Sequence, residues 1–207
     1  MILGKDILCK AQSGIGKTTA YVIATLQQIQ PIKNQVEILV LCHTMESAFN
    51  ITHEYKTLSK YQHNIKIEQF TGGTSLKLQA NILKTDCPHI VIGTPGRILD
   101  LAQEKKLKLN HIKQLIIDNC DRLFESSDKS QRNVVDIFQM ISHKKQVLIL
   151  SSTFDDESRS LCNTLLKNVS YDKTIIYIFQ NYFLIYLAIR NRYACCNQEV
   201  TLLCQST

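Results

Sequence analysis

Ala11-Gln12-Ser13-Gly14-Ile15-Gly16-Lys17-Thr18 follows a short apolar run, Ile7–Cys9, and precedes a segment of helical periodicity. Strand, glycine-rich loop and helix in that order read as a phosphate-binding loop. Gly14 and Gly16 let the backbone curl until successive N–H groups converge on phosphate oxygens. The helix that opens near Lys17 adds its positive end. Lys17 suits the β- and γ-phosphates of a nucleoside triphosphate, and the Thr18 hydroxyl suits Mg²⁺. Ala11 stands where the general pattern has its first glycine, so position between strand and helix carries the reading.

A hundred residues on, Leu115-Ile116-Ile117-Asp118 has the form of a buried strand that delivers one carboxylate to its tip. Downstream of a phosphate loop, such a carboxylate is placed to hold Mg²⁺ directly or through water. Asn119 follows, where a hydrolytic ATPase of this kind would carry a carboxylate. An amide cannot accept a proton from the attacking water, and loss of a general base costs ~10²–10⁴ in rate. The pair Asp118 and Asn119 therefore predicts that the chain binds a nucleoside triphosphate and is poorly equipped to hydrolyse it.

Short β-branched runs alternate with amphipathic segments along most of the chain. Strands are expected at Ile7–Cys9, Ile38–Cys42, Ile65–Phe70, Ile90–Gly93, Leu115–Asp118 and Val147–Ser151. Most are apolar without alternation, as strands covered on both faces are. Helical patterns lie at Thr18–Ile29, Thr44–Tyr61, Ser75–Leu83, Pro95–Gln103, Asn133–Met140 and Asp155–Leu166. That alternation predicts an α/β parallel sheet flanked by helices, with ligands at the carboxyl ends of its strands.

The 207 residues, 44% hydrophobic, suffice for one full core. A formal net charge of +6 suits a polyanionic partner without requiring one. Eight cysteines without a C-x-x-C pair read as buried free thiols rather than zinc ligands or disulfides. No signal peptide is expected at Met1, since Lys5 and Asp6 interrupt any apolar core. Thr174 to Ile189 is apolar apart from Gln180 and Asn181, and falls short of the ~18–20 residues of a membrane span, so no membrane partner is expected. Lys105, Lys106 and Lys108 with Lys113, and Lys144 with Lys145, read as solvated faces, with RNA attraction as the alternative.

The motifs occur in a fixed order: A-x-S-G-x-G-K-T, Thr44-Met45-Glu46-Ser47-Ala48, Gly72-Gly73, Thr94-Pro95-Gly96-Arg97, Asp118-Asn119-Cys120-Asp121 and Ser151-Ser152-Thr153. This series resembles a DEAD-box RNA helicase, and more narrowly the D-E-C-D branch, the splicing and mRNA-export helicase. Cys42-His43-Thr44, Cys87-Pro88-His89-Ile90-Val91 and Gly93–Leu99 are similar to that branch in particular. The match runs from about Leu3 to Asn168, with an echo at Gln180-Asn181-Tyr182-Phe183. It implies a RecA-like P-loop NTPase fold, with the helicase's first, ATP-binding lobe over residues 1–170. Residues 171–207 form a divergent tail with no assigned domain.

The resemblance also implies roles. Residues 11–18 and Asp121 would hold ATP, with Thr18 and Asp118 on Mg²⁺ and Asp118 and Asn119 at the catalytic position. Asp121 would pair with Ser151 and Thr153, coupling nucleotide state to closure. Thr44, Gly72, Gly73, Thr94, Gly96 and Arg97 would contact the backbone of single-stranded RNA, which positions a strand without reading its sequence. Splicing or export factors are the implied protein partners, with the nucleus as the implied compartment and the cytoplasm as the alternative.

Departures qualify these roles. Asn119 replaces the glutamate, Met45 an RNA-binding arginine, Ser47 a leucine and Ser152 an alanine. The chain is expected to start after the adenine-reading glutamine motif and to stop before the second lobe, whose arginine fingers are worth ~10³–10⁵ in turnover. Two other readings stay open: a non-catalytic module that occupies the RNA or partners of an intact helicase, and a degenerate copy without stable function. A small-molecule kinase or GTPase is disfavoured, since neither needs the Gly72-Gly73 and Thr94–Arg97 series.

Overall fold

The parallel order of the strands follows from their connections. In a computed structural model, residues 6–10, 12–125, 128–153 and 156–166 are described. Six strands carry the sheet: β1 (Ile7–Lys10), β2 (Ile38–Leu41), β3 (Ile67–Phe70), β4 (Ile90–Gly93), β5 (Gln114–Ile117) and β6 (Gln146–Ser151). Seven helices join or follow them: α1 (Lys17–Gln28), α2 (Met45–Leu58), α3 (Leu76–Thr85), α4 (Pro95–Gln103), α5 (Cys120–Glu125), α6 (Asp128–Met140) and α7 (Asp156–Leu165). Every paired strand is parallel, in the order β1-β6-β5-β2-β4-β3. Each connection must cross from one end of the sheet to the other, and a helix does so.

Both faces are covered, which explains why the strands read as unbroken apolar runs. Successive side chains point to opposite faces. Leu39, Leu41, Leu115, Ile117, Val147 and Ile149 join a core with Ile98, Leu123, Val134, Ile137 and Cys162 of α4–α7. Ile38, Val40, Ile116, Leu148 and Leu150 join a second core with Tyr21, Val22, Ala48 and Tyr55 of α1 and α2. Every residue of β2, β4 and β5 is buried. Each such branched side chain contributes roughly 1.5–3 kcal/mol of transfer free energy.

The expected strands and most helices stand where the apolar runs put them, with three differences. Helix α5 was not expected, because six residues are too few to display a period. Helix α6 begins at Asp128 rather than Asn133, since Asp128-Lys129-Ser130-Gln131-Arg132 offers no apolar stripe. Strand β3 begins at Ile67 rather than Ile65, whose N–H turns back to the Gln62 carbonyl.

Cys9, Cys42, Cys120 and Cys162 are buried free thiols and Cys87 is a half-buried one. Burial pushes the Cys42 thiol up to about 12, and the neighbouring Asp118 carboxylate adds to it. Two of the lysine groups have structural work. Lys113 pairs with buried Glu37 at 2.7 Å, and the Lys145 ammonium lies 3.8 Å from the Phe138 ring centroid. No helix among the described residues is long and apolar enough to cross a membrane. Ala11, the segment 174–189, the echo at 180–183 and the whole tail 171–207 lie outside the described residues.

Candidate functional site

Gln12 to Gly16 are exposed and form an open loop between β1 and α1. Gly14 and Gly16 have φ of 83° and 88°, the left-handed region in which a side chain is strained. Gly16 is the N-cap of α1 and offers no side-chain cap to the first helical turn. First-turn N–H groups so placed suit a phosphate. Lys17, 6% exposed, is buried at the start of α1, and its ammonium acts on the Asp118 carboxylate past the end of β5.

A hydrogen bond joins the helix that follows this loop to the acidic strand tip. The Tyr21 hydroxyl, one helical turn after Lys17, donates to Asp118 Oδ2 at 3.2 Å. Asp118 lies just past β5, and its own N–H donates to the Leu41 carbonyl at 2.9 Å. Burial raises the Asp118 pKa above the ordinary carboxylate value, while the Tyr21 hydroxyl and the Lys17 ammonium pull it down. In the sequence Tyr21 is one of the apolar positions of the Thr18–Ile29 helical pattern. A hydroxyl four residues after the loop lysine is the signal that could have found it.

Asn119 takes φ 51°, which asparagine tolerates better than longer side chains. That backbone turn starts α5 and brings Asp121 against the end of β6. There Asp121 Oδ2 accepts from Ser152 Oγ at 2.5 Å, Thr153 Oγ1 at 3.1 Å, and the N–H groups of Ser152 and Thr153 at 3.3 Å. Burial works to raise its pKa, yet these donors and the Arg122 N–H outweigh it and hold the carboxyl below the ordinary value. Thr153 meets Asp121 as expected, but Ser151 does not. The Ser151 hydroxyl is spent on the Thr153 carbonyl, closing its own turn. Ser152, marked only as a departure, supplies the missing hydroxyl.

The other half of the carboxyl edge gathers the remaining motif residues, because β2, β4 and β3 are neighbours. Thr44 caps α2: its Oγ1 accepts from the Ser47 N–H at 3.0 Å and donates to Ser47 Oγ at 2.9 Å. Gly72 and Gly73 form an exposed turn after β3, and Thr94 is the N-cap of α4, with Gly96 in its first turn. Arg97 turns inward. Its Nη1 donates to the Thr74 carbonyl at 2.6 Å and to Gln79 Oε1 at 2.8 Å. Gln79 Nε2 in turn donates to the Thr71 carbonyl at 3.1 Å. Arg97 therefore fastens the 71–75 turn to α4, a positioning task shared with Gln79, which had drawn no attention. A buried amide on a helix flanking a glycine turn is its only sequence mark.

The family model for DEAD/DEAH box helicases matches residues 1–161. The chain belongs to that family. It is 47% identical over 167 residues to DEAD-box ATP-dependent RNA helicase 56 of Oryza sativa subsp. japonica, covering 81% of this chain and 38% of that protein. It is 44% identical over 167 residues to human ATP-dependent RNA helicase DDX39A, covering 81% and 39%. The chain thus spans about two fifths of the length of the curated relatives it matches. Among solved structures, a hypothetical ATP-dependent RNA helicase from Sulfolobus tokodaii superposes with a TM-score of 0.71 at 26% identity, covering 82% and 48%. S. cerevisiae Dbp5, bound to Nup159, Gle1, IP6 and ADP, has the same fold, with a TM-score of 0.71 at 20% identity, covering 80% and 42%.

For this DEAD-box chain, the donor set at the strand tip fits a hard cation. Asp118, buried and held by the Tyr21 hydroxyl of α1, presents a hard oxygen of the kind that Mg²⁺ takes. The edge that the resemblance assigns to RNA carries a deficit instead. Met45 is 59% exposed with its Sδ beside Gly73, where the family resemblance expects an arginine. Met45→Arg is expected to tighten single-stranded RNA about three- to ten-fold in a fluorescence-anisotropy titration, one new charge-assisted phosphate contact. An unchanged affinity would place the strand elsewhere.

Proposed function

We propose that this chain is a helicase lobe that binds ATP·Mg²⁺ and the backbone of single-stranded RNA, and that it hydrolyses ATP slowly at most. The Tyr21–Asp118 hydrogen bond is the observation that carries the nucleotide half, since it seats the acidic tip beside Lys17 under an open glycine loop. The loop N–H groups would receive phosphate oxygens, and Lys17 would neutralise the terminal phosphates. Thr18 and Asp118 would hold Mg²⁺, which when bound screens the charge on the phosphates. Asn119 can orient a water but cannot take its proton. On the other half, main-chain donors of 72–73 and 94–96 would meet phosphodiester oxygens, a mode that is blind to sequence.

By the same resemblance, splicing or export factors are the proposed protein partners and the nucleus the proposed setting. The Dbp5 structure with Nup159 and Gle1, and the fold likeness to yeast splicing factor Prp28, are compatible with that class of partner. A second reading, a module that occupies partners without turnover, draws support from Asn119 and from Met45 and Phe49, 59% and 62% exposed one turn apart on α2. Pull-down of such factors unaffected by Lys17→Ala would favour it.

Titration of labelled ATP with Mg²⁺, with and without single-stranded RNA, tests the main reading. Saturable ATP binding is expected, with phosphate release close to the protein-free rate. Asn119→Glu is expected to raise release only slightly. Glutamate is strained at φ 51°, and the arginine fingers that the family resemblance assigns to a second lobe lie outside the matched residues. Vigorous RNA-stimulated release by the native chain would overturn the proposal.

A further inference from the structure

Along one flank of the sheet, α3 and the turn that closes α4 wall an open groove of about 700 Å³. Lys77 and Lys84 of α3 line it with Lys105, Lys106 and Lys108 of the turn; Glu104 is the single carboxylate among its lining residues. All five lysines are exposed, and none forms an ion pair among the described residues. Lys113, beside them in sequence, is already paired with Glu37.

The turn that presents three of these charges is fixed. Lys105 takes φ 56°, and the N–H groups of Lys106 and Leu107 both reach the Leu101 carbonyl, at 2.9 and 3.0 Å. Val36, Leu83 and Leu107 are buried beneath the groove, so its rim sits on packed core rather than on a loose loop. Lys77 and Lys84 are seven residues apart, on the same side of α3 and about 10 Å apart along its axis.

Position decides the occupant. Helix α3 begins at Leu76, directly after the 71–75 turn that Arg97 holds, and runs from the sheet's carboxyl edge back to its amino edge. Leu76 and Lys77 bring one end of the groove against the last of the turns proposed to face RNA, and its other lining residues lie toward the amino edge. We infer that it is a track for the continuing phosphodiester backbone of single-stranded RNA, lengthening the binding site down the α3 flank. This rests on the RNA reading of the carboxyl edge. Five ammonium groups without an arginine fork suit phosphates in any register and read no base. Each phosphate neutralised along a single strand adds about 0.7 to the salt slope of binding.

The test compares 6- and 20-nucleotide poly-uridine on the full chain, wild type and Lys84→Glu/Lys106→Glu/Lys108→Glu, between 50 and 200 mM salt. The track predicts tighter binding of the long strand by the wild type. Its log–log salt slope becomes shallower by about 2 in the variant, which makes the affinity loss across that salt range about twenty-fold smaller. Binding of the short strand changes less than about two-fold, and the thermal melt of the variant matches wild type because the three side chains are exposed. A long strand bound equally by both proteins removes the track and leaves the edge site standing. Failure of both strands to bind wild type removes the edge reading and the track with it. Displacement of the long strand by poly-glutamate of equal charge, at equal concentration, would assign the groove to an acidic protein segment instead.

Discussion

Asp118→Asn is expected to weaken ATP·Mg²⁺ binding by at least about 10²-fold while making the chain itself more stable. The loss follows from removing the carboxylate beside Lys17 that the proposed function assigns to Mg²⁺, a contact worth several kcal/mol to a metal-held phosphate. The gain follows from burial, since Asp118 is 3% exposed and desolvation is what raises its pKa. A folded pKa above the unfolded one means that the native state holds the proton more tightly. Asp118 thus costs stability at neutral pH, and that cost shrinks as pH falls through the raised pKa toward the ordinary value of 3.8. The asparagine variant is expected to melt about 2–4 °C higher at pH 7, on the order of 1 kcal/mol, with the difference gone below pH about 3.8. Calorimetry at pH 7 and pH 3.5, paired with a nucleotide titration, reads both effects. A variant that melts lower at pH 7, or still binds ATP·Mg²⁺ normally, would sink the assignment.

Gly93→Ala is expected to cost about 3–4 kcal/mol and to lower Tm by roughly 8–15 °C. A Cβ there would run into the Phe70 carbonyl oxygen and lie 2.7 and 2.9 Å from Ile98 Cδ1 and Cγ1. Phe70 and Gly93 are cross-strand partners, so the obstruction is backbone inside a buried parallel pair and cannot swing aside. Gly93 also precedes Thr94, so a displaced β4 would misplace the Thr94–Arg97 turn and the loop that Arg97 holds. Gly72→Ala is the control, since a Cβ there meets nothing within 4 Å. Circular dichroism melts of the two variants check the contrast, and equal melting temperatures would contradict it.

Much of this fold was legible because its strands are covered on both faces and its motif residues sit at their tips. Apolar runs without alternation marked β2, β4 and β5, and the glycine loop marked the start of α1. What escaped the sequence were contacts made by side chains from different elements. Nothing local distinguishes Ser151 from Ser152 as the partner of Asp121; the turn that consumes the Ser151 hydroxyl decides it. Arg97 reads as a cation for an RNA backbone, and nothing local shows that its Nη1 also holds Thr74 and Gln79. Tyr21 obeys the apolar period of α1, and only the arrival of β5 beside that helix turns its hydroxyl into a support for Asp118.

Strands β5 and β2 are direct neighbours, and every position of both is buried. Sliding one past the other would break a buried ladder, so the two halves of the carboxyl edge ride on a single stiff chassis. Asn119 and Met45 sit on the rim of that chassis, each beyond the last residue of its strand. Such rims can be re-equipped one fitting at a time without loosening the buried frame beneath them.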